Sequence, residues 1–140
     1  MSRKPLVQYR ELANITYQEA WDIQTQLHMD LVQNKLAWRA LSEEDRRDQR
    51  QQHHLLFCEH SPVYTLGKSG SLDHLLLSNE ERNNKSIEFF KINRGGDITY
   101  HGPGQLTGYP IFDLDEFFTD VHRYVRFLDC LLYTSDAADE

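Results

Sequence analysis

Cysteine is scarce in this chain: Cys58 and Cys130 are the two in 140 residues. They form neither a disulfide framework nor a C-x-x-C pair, which excludes a cystine-stapled scaffold and fits a reducing compartment. No apolar run approaches the length that spans a bilayer, and the opening residues lack the apolar core and small-residue cleavage site of a secretion signal. The cytoplasm is therefore the expected location. A basic stripe that could neutralise phosphates is also missing, and with a net charge of −7 the sequence argues against nucleic acid as the main ligand. Repeats and low-complexity linkers are absent. What is there, 39% hydrophobic and 26% charged residues, is the composition of one globular domain.

Helical and strand patterns interleave along it. Thr16 followed three residues later by Glu19 reads as a capping box, and behind it Tyr17, Ala20, Trp21, Leu27 and Leu31 recur at helical spacing. Residues 42–52, SEEDRRDQRQQ, are a mixed-charge run expected as a solvated helix end or loop. HHLLFCEHSPVYTLGKSG then reads as a strand, a Ser-Pro bend and a second strand ended by Gly67 and Gly70. A short helix and polar turn, a strand over IEFFKIN, a strand within GYPIFDLDEFF and a final helix bearing Val121, Tyr124, Val125 and Leu128 on one face complete the pattern. The expected fold is α/β or α+β, a mixed sheet flanked by helices.

Glycine, used sparingly elsewhere, is concentrated in one place: four of the seven lie in RGGDITYHGPGQ, residues 94–105. Gly95 and Gly96 let the main chain approach a ligand and aim amides at a carbonyl or anion. Asp97 to His101 can extend as a strand with Ile98 and Tyr100 on one face, to pack, and Thr99 and His101 on the other, to react. Gly102, Pro103 and Gly104 then force a turn that leaves His101 at a strand end, with the Gln105 amide available to orient a neighbour. The spacing is neither a Walker loop nor a dinucleotide fingerprint. On pattern alone a glycine-rich hairpin with a solvated arginine and histidine fits equally well. His53, His54, His60 and His74 follow no common ligand spacing, so no metal is expected. Lys68 reads as a solvated turn residue, and Cys58, in an apolar strand, as a small buried hydrophobe.

The last eleven residues, CLLYTSDAADE, resemble the in-frame translation of a sequencing-library adapter, although a polar C-terminal tail has a similar composition. The adapter reading makes residues 130–140 a non-native tail and residues 1–129 the N-terminal part of a single domain. Without Asp136, Asp139 and Glu140 the net charge moves from −7 to −4.

Arg94, Gly95, Gly96, Thr99, Tyr100 and His101, continued by Gly102, Pro103, Gly104 and Gln105, resemble the signature of the lipoyl(octanoyl) transferase family, also called lipoate-protein ligase B. EHSPVYTLGKSGSLDHLL, from Glu59, is similar to the segment that precedes that signature. The resemblance implies a fold related to the biotin and lipoate protein ligases. It also implies transfer of an octanoyl group from octanoyl-acyl carrier protein to a lysine on the lipoyl domains of 2-oxoacid dehydrogenases and on the glycine cleavage H protein. Arg94, Gly95, Gly96, Asp97, Ile98, Thr99, Tyr100 and His101 would bind the acyl substrate, supported by Gly102, Gly104 and Gln105, with Arg94 either holding the loop or meeting an anion. The family's nucleophilic cysteine, with a lysine that lowers its pKa, lies C-terminal to the signature and beyond Asp129, so no catalytic residue is expected within this chain. No cofactor is implied, since the thioester is already activated, and the complete protein is expected to be a monomer. The 140-residue chain itself is expected to be inactive and marginally folded, with sheet edges uncovered. Two other readings are an ATP-dependent lipoate or biotin ligase, whose signature continues His-Asp-x-Gly-Asn where this chain has His101 to Gln105, and a non-catalytic acyl- or partner-binding module.

Overall fold

The computed structural model describes residues 4–47 and 49–136. In chain order the elements are β1 (Leu6–Ile15), α1 (Tyr17–Arg39), α2 (Glu43–Arg46), β2 (Gln52–His60), β3 (Val63–Leu66), α3 (Asn79–Asn84), β4 (Glu88–Lys91), β5 (Ile98–His101), β6 (Thr107–Ile111) and α4 (Val121–Asp136). The strands form two three-stranded mixed sheets, β1-β2-β6 and β4-β3-β5. In each, the central strand pairs parallel on one side and antiparallel on the other. The fold is thus the expected mixture of helices and mixed sheets.

Helix α1 starts where the sequence places it. The Thr16 hydroxyl accepts from the Glu19 N–H at 3.2 Å, and the Glu19 carboxylate accepts from the Thr16 N–H at 3.1 Å, so two otherwise orphaned donors are satisfied. Its apolar face lies on the first sheet, where Leu31, Leu56 and Ile111 are buried and Leu12, Ile23, Leu27 and Tyr109 pack around them. Each of the three buried side chains contributes about 1.5–3 kcal/mol on leaving water. Trp21, in the same predicted stripe, is 45% exposed, because it stands on the helix edge beside Tyr17 rather than over the sheet. At the far end Lys35 bridges Asp113 at 2.7 Å and Asp115 at 2.6 Å, tying the helix to the segment after β6.

Strand β1 is an element that the sequence did not announce. It is an edge strand, and its side chains are mostly exposed on both faces. The apolar-polar alternation that marks a half-buried strand is therefore missing. A bulge at Ala13, whose φ is 54°, shifts its register against β2 between Glu11 and Asn14. The polar run at 42–52 resolves into α2, capped by Ser42, and the approach to β2, where Gln51 is buried and its N–H donates to Glu116 Oε1 at 3.0 Å.

Two connections cross between the sheets. The Ser61-Pro62 bend carries β2 into β3, pinned by the Ser61 N–H donating to the Ile15 carbonyl at 3.1 Å. The Gly102–Leu106 turn carries β5 into β6. Both crossings lie beside His101, which pairs across the ladder with Val63, the first residue of β3. The junction of the two sheets is consequently where the glycine-rich motif sits.

Candidate active site

The motif is held by a second glycine turn. The Gly67 N–H donates to the Asp97 carbonyl at 3.0 Å, the Lys68 N–H to the Arg94 carbonyl at 2.8 Å and the Ser69 hydroxyl to the Gly96 carbonyl at 3.2 Å. The turn can come this close only without a side chain: a Cβ on Gly67 would stand 2.3 Å from the Gly96 oxygen and 2.9 Å from those of Arg94 and Gly95. Gly96 itself adopts φ of +89°, which an L side chain resists. With its carbonyls turned toward residues 67–69, the loop leaves the Gly95 and Gly96 amides without an acceptor among the described residues. Such unpaired amides are suited to a carbonyl or an anion.

Side chains lock the same loop. Arg94 donates to the Gly95 carbonyl at 2.7 Å and to Thr99 Oγ1 at 3.0 Å, two bonds that brace the loop. Asp97 accepts from the Ser71 N–H at 3.1 Å and bonds His74 Nδ1. Desolvation pushes the Asp97 carboxyl up, but His74 and the Ser71 and Ile98 amides together bring it below the ordinary range.

The two faces of β5 are disposed differently from the sequence expectation. Thr99 and His101 lie opposite Thr65 and Val63, both buried, so their face is the inner one. Tyr100, expected to pack, is 45% exposed; its ring meets that of Tyr64 across the sheet at 5.2 Å and lies over Gly102, where a Cβ would stand 2.5 Å from its hydroxyl. The reason is that the second sheet folds its Thr65 side toward α1 and β2. Ile98 is half-buried beside Leu66.

Behind that inner face lies a buried polar group that the sequence left scattered. His60, 1% exposed, has its Nε2 2.6 Å from the Tyr109 hydroxyl and 3.7 Å from Cys58 Sγ. Its ring packs against Tyr17 at 5.4 Å and edge-on to His101 at 6.1 Å. Tyr17 in turn meets Phe90 at 5.0 Å. Burial pushes the Tyr109 and Tyr17 phenols and the Cys58 thiol upward, so Cys58 is a poor nucleophile and behaves as the small buried hydrophobe its surroundings imply. The one signal available beforehand was period two: Cys58 and His60 share a face of β2. His53, considered beside His60 for a metal, is instead tied to Glu116 at 2.9 Å and to the Asp113 N–H at 3.1 Å. His54, half-buried, lies on the opposite face of β2 from His53, and Lys68 is exposed.

Burial also holds the His60 imidazole below its ordinary value, with repulsion from His101 adding to it. The unfolded chain then binds the extra proton, so the contribution to stability is complete above about pH 6.5 and is lost as pH falls below it. His60→Phe is expected to flatten the decline in unfolding free energy between about pH 7 and pH 5, measured by denaturant titration. His54, pushed down chiefly by burial as well, retains its own share.

A mixed α/β domain with a glycine loop laid against a second glycine turn, and an inner face of threonine and histidines, defines a class, and comparison with known proteins gives it a family. The sequence profile of the lipoyl protein ligase A/B catalytic domain matches residues 17–135, and the chain belongs to that family. Its relatives are named octanoyltransferases. The chain is 54% identical over 119 residues to the octanoyltransferase of Cytophaga hutchinsonii, covering 85% of this chain and 48% of that protein. It is 49% identical over 123 residues to that of Flavobacterium johnsoniae, covering 88% and 51%, and 50% identical over 123 residues to that of Flavobacterium psychrophilum, with the same coverage. The chain spans about half the length of these curated relatives. Among the described residues no helix is long and apolar enough to cross a membrane.

Proposed function

We propose that the protein is an octanoyltransferase, moving an octanoyl group from octanoyl-acyl carrier protein to a lysine of lipoyl domains, those of 2-oxoacid dehydrogenases and of the glycine cleavage H protein. The observation that carries this reading is the Arg94–His101 wall itself. Its free Gly95 and Gly96 amides and its inward Thr99 and His101 stand together at the sheet junction. In this reading the amides hold the thioester carbonyl, where developing negative charge is stabilised by fixed donors. Asp97 and Arg94 keep the loop in shape, Ile98 and Tyr100 set the strand, Gly102, Gly104 and Gln105 set the turn, and His101 orients or handles a proton at the acceptor amine. A cysteine thiolate and a neighbouring lysine beyond Asp129 supply the nucleophile, and no metal or nucleotide takes part. The chain is then the N-terminal part of a cytoplasmic, monomeric enzyme, with residues 130–140 a non-native tail.

Reading the gene past the codon for Asp129 tests the last point: a downstream lysine and cysteine support it, and their absence supports a non-catalytic acyl-binding module. The activity is tested on the full-length gene product with octanoyl-acyl carrier protein and an apo lipoyl domain, following the mass of the acceptor. Octanoylation without nucleotide is the expected result. A requirement for ATP and free octanoate would replace the transferase reading with a ligase.

A further inference from the structure

The surroundings of His101 fix more than its position. After β5 the chain turns back on itself, the Gln105 N–H donating to the Gly102 carbonyl at 3.1 Å. The Glu59 carboxylate, on β2, accepts from the Gly104 N–H at 2.8 Å and anchors that turn. Gln105 is thereby swung over the imidazole, and its Oε1 meets His101 Nδ1. An amide oxygen can only accept, so Nδ1 must carry the hydrogen. In the neutral ring the other nitrogen, Nε2, then keeps its unshared pair. The ring of His60, edge-on at 6.1 Å, packs against the imidazole and helps to hold its orientation.

We propose that Gln105 is a positioning residue that locks His101 in its Nδ1–H tautomer, making Nε2 the atom that accepts the proton of the incoming lysine amine. The proposal rests on the octanoyl transfer reading and deepens it. As the amine nitrogen bonds to the acyl carbon, its N–H breaks and the proton goes to Nε2, while the carbon–sulfur bond breaks and sulfur leaves as thiolate. With the opposite tautomer Nε2 would present a hydrogen to the amine and could not accept one. Glu59 acts one step further out, by holding the turn that holds Gln105.

Nuclear magnetic resonance of the full-length gene product, labelled with ring-15N histidine and held at a pH where His101 is neutral, tests the lock without substrate. His101 is assigned by its missing signals in His101→Ala. The expected spectrum has a pyrrole-type Nδ1 and a pyridine-type Nε2 at His101. Gln105→Leu is expected to shift the ring toward the Nε2–H form that free histidine prefers, and Gln105→Glu, which keeps an acceptor, to restore the wild-type pattern. A pyridine-type Nδ1 in the wild type, or a pattern unmoved in Gln105→Leu, would overturn the proposal. Should Gln105→Leu fail to fold, the wild-type spectrum decides alone. Because this readout needs no acyl donor, failure of the lock and failure of the transferase reading are told apart by the transfer assay.

Discussion

Replacing Gly67 with alanine is expected to abolish octanoyl transfer, by more than about 100-fold, and to lower the unfolding free energy by about 2–3 kcal/mol. The added methyl group would stand 2.3 Å from the Gly96 carbonyl oxygen and 2.9 Å from those of Arg94 and Gly95. All three obstacles are backbone, so no side chain can rotate away. Either the turn at residues 67–70 lifts, breaking the bonds from Gly67 and Lys68 to Asp97 and Arg94, or the motif loop itself moves. Both responses displace the Gly95 and Gly96 amides. Transfer assays and denaturant unfolding of the full-length gene product check the two effects together. A fully active variant would show that the loop need not sit where the Gly67 turn holds it.

His101→Ala is expected to do the opposite in one respect: transfer falls by about 100-fold while stability changes little. The side chain is only partly buried, and the β5 ladder with Val63 is made by backbone. On the proposed role, in which the imidazole meets the amine as the acyl group moves rather than the acyl chain at rest, the loss should appear in kcat more than in KM. Unchanged rates would remove His101 from the site. A large drop in unfolding temperature would reassign it to packing against His60.

How much of this was legible beforehand differs from element to element. The capping box at Thr16 and Glu19 is a local device, readable because its two hydrogen bonds need only the residues that make them. The strand-bend-strand around Ser61 and Pro62 was equally plain, and so was the motif strand, since Gly96 and the Gly102–Gly104 turn bracket it. Strand β1 was not, because an exposed edge strand carries no burial pattern; its existence depends on β2 offering a parallel partner. Which face of β5 turned inward was also misread. Alternation separates Ile98 and Tyr100 from Thr99 and His101, but only the pairing with Val63 and Thr65 says which side meets α1. The contact of His60 with Tyr109 joins neighbouring strands far apart in sequence, and the Gly67 turn meets the Arg94 loop across a shorter but still non-local gap. Pairings of that kind leave no trace in a local window.

The parallel register of β1 with β2 sets a schedule for the growing chain. Leu6 pairs with Gln52, and at about 5–20 residues per second the ribosome delivers that partner roughly 2–9 s after Leu6 itself. Helix formation takes about a microsecond, so α1 is made long before β1 has anywhere to dock. Through that interval Leu6, Val7 and Tyr9 travel unpaired, and slow codons between Arg39 and Gln52 would prolong the wait. Translation speed across the α2 segment therefore governs how long the nascent first strand stays open to misassociation.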